Sequence, residues 1–189
     1  MNTHVPGIFD LRLEIKNRPL RGRFFINNED SMFYDIIETT LGPIIMAGDD
    51  QYLRILSFLK GGDPVPILSH WKQNTLFMKS VKQQLFAYLS GDLKIFDLSL
   101  CPDGTLFQKQ VWSELEKIPY GKTMSYKDVA HAIGKPNAAR AVGLACGKNP
   151  IPIIIPCHRV IGKNGSLTGY SSGIDLKKRL LYIEGCFLS

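Results

Sequence analysis

Metal-ligating residues are scarce in this 189-residue chain, and those present are scattered. Its four cysteines (Cys101, Cys146, Cys157, Cys186) and four histidines (His4, His70, His131, His158) form no CxxC pair or other ligand spacing. No zinc or other metal site is therefore expected. No apolar run is long enough to span a bilayer and no secretory leader is recognisable, so the sequence predicts no membrane attachment, a cytoplasmic setting and reduced thiols. Acidic residues are outnumbered, 17 against 23 lysines and arginines, which leaves a net charge of +6. That balance favours an anionic partner, although charge alone does not separate nucleic acid from a membrane surface or from mere solubility. With 44% hydrophobic and 21% charged residues, the chain has the composition of an ordinary folded protein with one sizeable core or two small ones.

The chain reads as two halves. In the first, Phe9 to Ile15 alternates like a strand and the basic Arg18–Arg23 like a loop. Phe33–Thr39, the turn Leu41-Gly42-Pro43 and Ile44–Gly48 predict a hairpin, and Tyr52–Phe58, whose apolar positions 53, 55, 56 and 58 fit neither period cleanly, is a third strand or one short helix, with strand favoured. Asn74 is placed to cap a helix from Thr75 to Leu89, whose apolar stripe is Phe77, Val81, Leu85, Tyr88 and Leu89. Ile95–Leu100 predicts a further strand, and Cys101-Pro102-Asp103-Gly104 a turn that divides the chain into 1–101 and 102–189.

The second half is mostly helical. Thr105 and Gln108 have capping-box spacing ahead of a helix with Phe107, Val111, Leu115 and Ile118 on one face. Ser125 caps a second helix that Gly134 closes, and Asn137 is placed to cap a third beginning Ala138-Ala139-Arg140, which together make a helix-turn-helix. Ala138, Ala139, Ala141, Gly143 and Ala145 surround Arg140. Such a helix could press into a DNA groove, with Arg140 on a phosphate or in the space of a base, or its small residues could simply allow tight helix packing.

The chemistry centres on Pro152-Ile153-Ile154-Ile155-Pro156-Cys157-His158-Arg159-Val160. Three β-branched residues between prolines predict an extended, buried segment that delivers Cys157 at its end. A thiol is nucleophilic only as thiolate, so an adjacent imidazole that takes its proton is an economical activator. A last helix with Leu176, Leu180 and Ile183 on one face carries Glu184, a carboxylate able to orient a histidine, after the flexible loop Gly169-Tyr170-Ser171-Ser172-Gly173. A buried cysteine that only packs, and a glutamate that only solvates a helix end, are the bland alternatives.

Residues 105–185 closely resemble the C-terminal domain of the O6-alkylguanine-DNA alkyltransferases. The resemblance rests on Pro156-Cys157-His158-Arg159-Val160, Ser125-Tyr126, Ala138 to Gly143, Asn149-Pro150-Ile151-Pro152, Gly169 to Gly173 and Glu184-Gly185, in order and at compatible spacing. The hairpin 33–48 is similar to that family's ribonuclease-H-like N-terminal domain. The resemblance implies an α+β fold of two domains: an antiparallel sheet with a helix, then a mostly helical domain with a helix-turn-helix.

It also implies the reaction: irreversible, stoichiometric transfer of an alkyl group from O6-alkylguanine to Cys157, with no cofactor. Glu184 and His158 would generate the thiolate through a bridging water, and Tyr126 would donate toward the base. Asn149 would tie the active-site turn to the helix-turn-helix. Pro152 and Tyr170 would line the alkyl pocket, and the backbone around Val160 and Ser171 would read the base edge. Ser125, Tyr126, Ala139, Arg140 and Gly143 would meet double-stranded DNA in its minor groove, with the alkylated base flipped out and a monomer as the acting species. Some members of the family hold zinc in the N-terminal domain, but this half has no cysteine before Cys101. Two other readings are a sensor that binds alkylated DNA without reacting and recruits repair partners, and a Cys-His hydrolase, which would need many turnovers and an oxyanion hole.

Overall fold

The computed structural model describes residues 32–59, 67–76 and 78–186. The strand expected over Phe9–Ile15 and the loop Arg18–Arg23 lie outside the described residues. Strands β1 (Phe33–Ile37), β2 (Ile44–Gly48) and β3 (Leu53–Phe58) form an antiparallel meander. β1 stops at Ile37, two residues short of expectation, because Thr39 is used in the turn: its Oγ1 donates to the Gly42 carbonyl at 2.7 Å and accepts from Leu41 N. Gly42 sits there at φ +103°, a conformation open to glycine. A short strand, β4 (Lys72–Gln73), was not evident from the sequence and runs parallel to β1, giving the order β3-β2-β1-β4.

Helix α1 spans Lys79–Leu89, later than expected. Asn74 does not cap it: its Oδ1 accepts from Leu76 N at 3.1 Å and closes a turn directly after β4. Val81, Leu85 and Tyr88 are buried from this helix, while Phe77 of the expected stripe is outside the described residues. Ile95–Leu100 is not a strand, and only Leu100 bridges to Leu53. The segment meets β3 at its end, where Leu53 N donates to the Ser99 carbonyl and Cys101 N to the Leu53 carbonyl, while further along the edge Leu56 N donates to the Pro150 carbonyl at 2.9 Å. That last bond fastens the sheet to the segment leading to Cys157.

Among residues 102–186, α2 (Leu106–Glu116) begins with the expected capping box, Gln108 N to Thr105 Oγ1 and Thr105 N to Gln108 Oε1. Next come β5 (Met124–Ser125), α3 (Tyr126–Ala132), α4 (Ala139–Gly147), a 3-10 turn over Cys157–Arg159, β6 (Val160–Ile161) and α5 (Ile174–Ile183). Ser125 makes a second capping box with Asp128. Asn137 does not cap α4. Ala138 N closes a turn onto the Lys135 carbonyl, which leaves Ala138 itself at the cap position with no side chain to offer.

Period-two alternation sends the sheet's apolar residues to both faces. Ile36, Ile45 and Ile55 pack with Trp71 in a small outer cluster. Ile37, Ile44, Met46 and Leu56 join α1 and the C-terminal helices in one larger core that reaches Cys157. Among the described residues, no helix is long and apolar enough to cross a membrane.

Candidate active site

Every residue from Ile151 to Val160 is buried, as the β-branched run implies, but the run is not extended. Ile155 N donates back to the Ile151 carbonyl at 2.9 Å, and Ile153 sits at φ +76°. A β-branched residue in that region is a backbone outlier that costs about 1–3 kcal/mol. The segment is thus a strained turn rather than a strand, because it must fold back within a few residues to bring Cys157 under Asn149.

Asn149 is the clasp of this turn. Its Oδ1 accepts from Ile151 N at 3.0 Å, while Nδ2 donates to the Ile155 carbonyl at 2.7 Å and to Cys157 Sγ at 3.2 Å. Asn149 N also bonds to the Cys146 carbonyl at the end of α4, so one residue couples the helix-turn-helix to the thiol. Burial raises the Cys157 pKa above the ordinary thiol range, opposed by the Asn149 hydrogen bond and by the nearby Lys177 ammonium. The resting thiol is therefore protonated and needs a base.

His158 and Glu184 form a fully buried pair, with Nε2 to Oε1 at 2.8 Å. Burial alone would raise the Glu184 carboxyl, but hydrogen bonds from His158, Arg159 and Tyr88 outweigh it and hold the group at about 2. An ionised carboxylate only accepts, so Nε2 carries the imidazole proton and Nδ1 presents its lone pair. Burial lowers the pKa of His158, with the Glu184 contact working against it, which keeps Nδ1 a free acceptor at neutral pH. Among the described residues, the buried Nδ1 has no hydrogen-bond partner, and no hydrogen bond joins His158 to Cys157.

Three buried residues of this cluster were not assigned a role from sequence. Arg159 donates through Nε and Nη2 to Glu184 at 2.9 to 3.1 Å, and through Nη1 to the Ile118 carbonyl. Tyr88, from α1, donates to Glu184 Oε1 at 2.6 Å. Lys177 donates to the Val160 carbonyl at 2.5 Å and to the Thr168 carbonyl at 3.3 Å. Arg159 was visible as a charge inside an apolar run, and Lys177 as a charge on the buried face of α5 with positions 180 and 181, which leads to Glu184 at the helix end. Tyr88 gave no signal beyond membership of an apolar stripe.

The expected pocket residues differ in burial, and Tyr170 is the one whose hydroxyl meets the thiol. Pro152 and Val160 are buried. The Tyr170 hydroxyl is buried beside Cys157, and burial, then the thiol's own charge when formed, pushes the phenol well above its usual range. Tyr126 donates to the Thr168 carbonyl at 2.9 Å, and burial drives its pKa to about 12, so it remains a neutral donor. Ser171 is exposed in the loop before α5.

The helix-turn-helix residues differ in exposure. Arg140 and Ala141 are exposed, while Ala139 and Gly143 are half-buried and Ala145 packs inward. The small residues of α4 therefore divide between the two readings: Ala145 serves packing, where Trp112 Nε1 bonds its carbonyl at 3.0 Å, and Ala141 faces outward. Ser125 spends its hydroxyl on the cap, donating to Asp128 Oδ2 at 2.7 Å. No group of three metal-ligating side chains converges among the described residues.

Two family models match the chain. The 6-O-methylguanine DNA methyltransferase ribonuclease-like domain covers residues 32–102, and the DNA binding domain of the same family covers 106–186. A methylated-DNA–protein-cysteine methyltransferase of Methanosarcina barkeri is 56% identical over 153 residues, 81% of this chain and 97% of the relative. One from Mycobacterium tuberculosis is 47% identical over 151 residues, 80% of this chain and 91% of its own length. The crystal structure of Mycobacterium tuberculosis OGT in complex with DNA superposes with a TM-score of 0.75 at 46% identity, covering 80% of this chain and 92% of that one.

Proposed function

The chain belongs to the 6-O-methylguanine DNA methyltransferase family, and from that premise we propose that Cys157 is the acceptor through which it reverses alkylation of guanine O6 in DNA. It is a DNA-binding methylated-DNA–protein-cysteine methyltransferase that acts once per molecule. The observation that carries the assignment of Cys157 is a buried thiol held by Asn149 beside a histidine whose Nε2 is committed to an ionised glutamate.

The reaction balances on these groups. The Cys157 proton passes through a bridging water to His158 Nδ1, and Glu184 holds the imidazolium that forms. The thiolate attacks the alkyl carbon in line, so an S–C bond forms as the C–O6 bond breaks and the electron pair leaves on guanine. Tyr126 turns from the Thr168 carbonyl to donate toward the departing base. Lys177 places a positive charge near the developing thiolate and fixes the Val160 carbonyl that reads the base edge. The thioether has no low-barrier return, so the protein is consumed.

A thiol this deep is not reached by a stacked base, so the alkylated nucleotide rotates out of the duplex into the pocket lined by Pro152, Val160, Tyr170 and Ser171. Residues 102–189 do this work as a monomer, entering the minor groove with Ser125, Tyr126, Ala139 and Gly143 along the helix-turn-helix. Arg140 fills the vacated stack.

Incubation with duplex DNA carrying radiolabelled O6-methylguanine, followed by peptide mapping, tests the assignment. One equivalent of label on the Cys157 peptide, and none in Cys157→Ala, is expected. Label on another residue, or more than one methyl removed per molecule, overturns it.

A further inference from the structure

We propose that Tyr88, supplied by the ribonuclease-like region, is a positioning residue of the alkyl transfer, which fixes Glu184 and thereby keeps His158 ready to accept the thiol proton. This rests on the reading of His158 and Glu184 as the base that activates Cys157. Glu184 Oε1 receives Tyr88 Oη at 2.6 Å, His158 Nε2 at 2.8 Å and Arg159 Nη2 at 2.9 Å, while Oε2 receives Gly121 N at 3.1 Å and Arg159 Nε at 3.0 Å. Arg159, His158 and Gly121 come from residues after 102. Among the described residues, Tyr88 is the donor to this carboxylate that reaches across from α1, and its hydroxyl also lies 3.4 Å from His158 Nε2.

The chemistry follows from competition for one oxygen. A carboxylate shared among more donors has less electron density for each, so it is a weaker partner for an imidazolium. Tyr88 thus restrains the tendency of Glu184 to hold His158 protonated at rest, and the neutral imidazole keeps Nδ1 open. Burial, followed by the Glu184 charge, keeps the Tyr88 phenol protonated at every pH at which the protein works. The hydroxyl is therefore a constant donor rather than a titrating switch. The other ionisable groups around the pair are Tyr120, Arg159 and Cys186 facing Glu184, and Lys177 and Arg159 facing His158.

Packing makes the hydroxyl separable from the ring. The Tyr88 ring lies 5.2 Å from Phe96 and stands edge-on to Tyr120 at 5.9 Å, contacts that phenylalanine retains. The test is Tyr88→Phe, with the second-order rate of alkyl uptake from free O6-benzylguanine measured between pH 5 and 9, which bypasses DNA binding. The acid limb of the profile is expected to move to higher pH by about half to one unit, so that uptake on the limb falls roughly three- to tenfold. The alkaline plateau falls less.

Titration of the His158 ring by NMR in both proteins reads the same shift without any reaction. A parallel loss at all pH values with the limb and the imidazole titration unmoved would mean that Tyr88 is merely structural and would overturn the proposal, as would no change at all. If the unaltered protein takes up no benzyl group, the reading of Cys157 fails, while the imidazole titration still decides for or against Tyr88.

Discussion

Glu184 and His158 make the site acid-sensitive. Glu184 is depressed from 4.5 to about 2 in the fold, so its contribution to stability is present above pH 4.5 and is lost as pH falls toward 2. His158 is also depressed, from 6.5, because its burial disfavours the charged ring. Its contribution is complete above 6.5 and declines as the pH drops below that. The melting temperature should therefore be flat above about pH 7 and fall progressively from pH 6.5 downward, as calorimetry across pH 7.5 to 3 would read. In Glu184→Gln the decline below pH 4.5 should be shallower. Arg140 is exposed, and the proposed function sets it against the duplex rather than the thiol. Arg140→Ala should slow reaction with duplex DNA by about tenfold or more, about 1.4 kcal/mol in the barrier, and leave uptake from a free benzylated base nearly intact. Equal losses on both substrates would show that Arg140 supports the chemistry instead.

At the scale of elements, the helix starts divide into capped and uncapped. Thr105 and Ser125 each close a reciprocal box, whereas α4 follows Ala138, which has no side chain to cap it, and Asn137 stands outside it. Thr105→Ala is expected to destabilise the fold by about 1 kcal/mol. Asn137→Ala should change it by less than about 0.5 kcal/mol, the usual range for a surface position. Urea denaturation distinguishes the two. The Thr105 box and the Ser125 cap could be expected from sequence because a hydroxyl and its partner three residues on need only helical geometry to meet, whereas the return bond from Asp128 was not expected. The Asn74 and Asn137 caps failed for a shared reason: an asparagine also favours turns, and here neighbouring backbone, β4 in one case and the Lys135–Ala138 turn in the other, set the chain's path first. Residues 95–100 failed as a strand because edge pairing depends on which donors of β3 remain, and Pro150 had taken one of them.

For the whole molecule, the sheet, α1 and the C-terminal helices share one core that ends on Cys157, so a change at the thiol is felt widely. Cys157 is only 4% exposed and its sulfur accepts the Asn149 bond. An added methyl both overpacks this turn and weakens that bond, at about 1–3 kcal/mol. The methylated protein should melt several degrees lower than the free protein, given roughly 2–4 °C per kcal/mol for a chain of this size. Equal or higher melting after methylation would mean that the turn relaxes without strain.

Local chemistry in the chain was enough to mark the hairpin, the Thr105 capping box and the helix-turn-helix, because each depends on periodicity or on residues a few positions apart, and to offer Glu184, 26 positions beyond His158, as a carboxylate able to orient that histidine. Tertiary structure alone decided how the set is wired. It bent the isoleucine run into a turn at Ile153, put Nε2 of His158 on Glu184, and drew Arg159, Lys177 and Tyr88 around them. Tyr88 and Glu184 are 96 positions apart, and an apolar stripe does not reveal which hydroxyl will find a carboxylate across a domain boundary. That pairing depends on how two surfaces dock, which is a property of packing and not of any one segment.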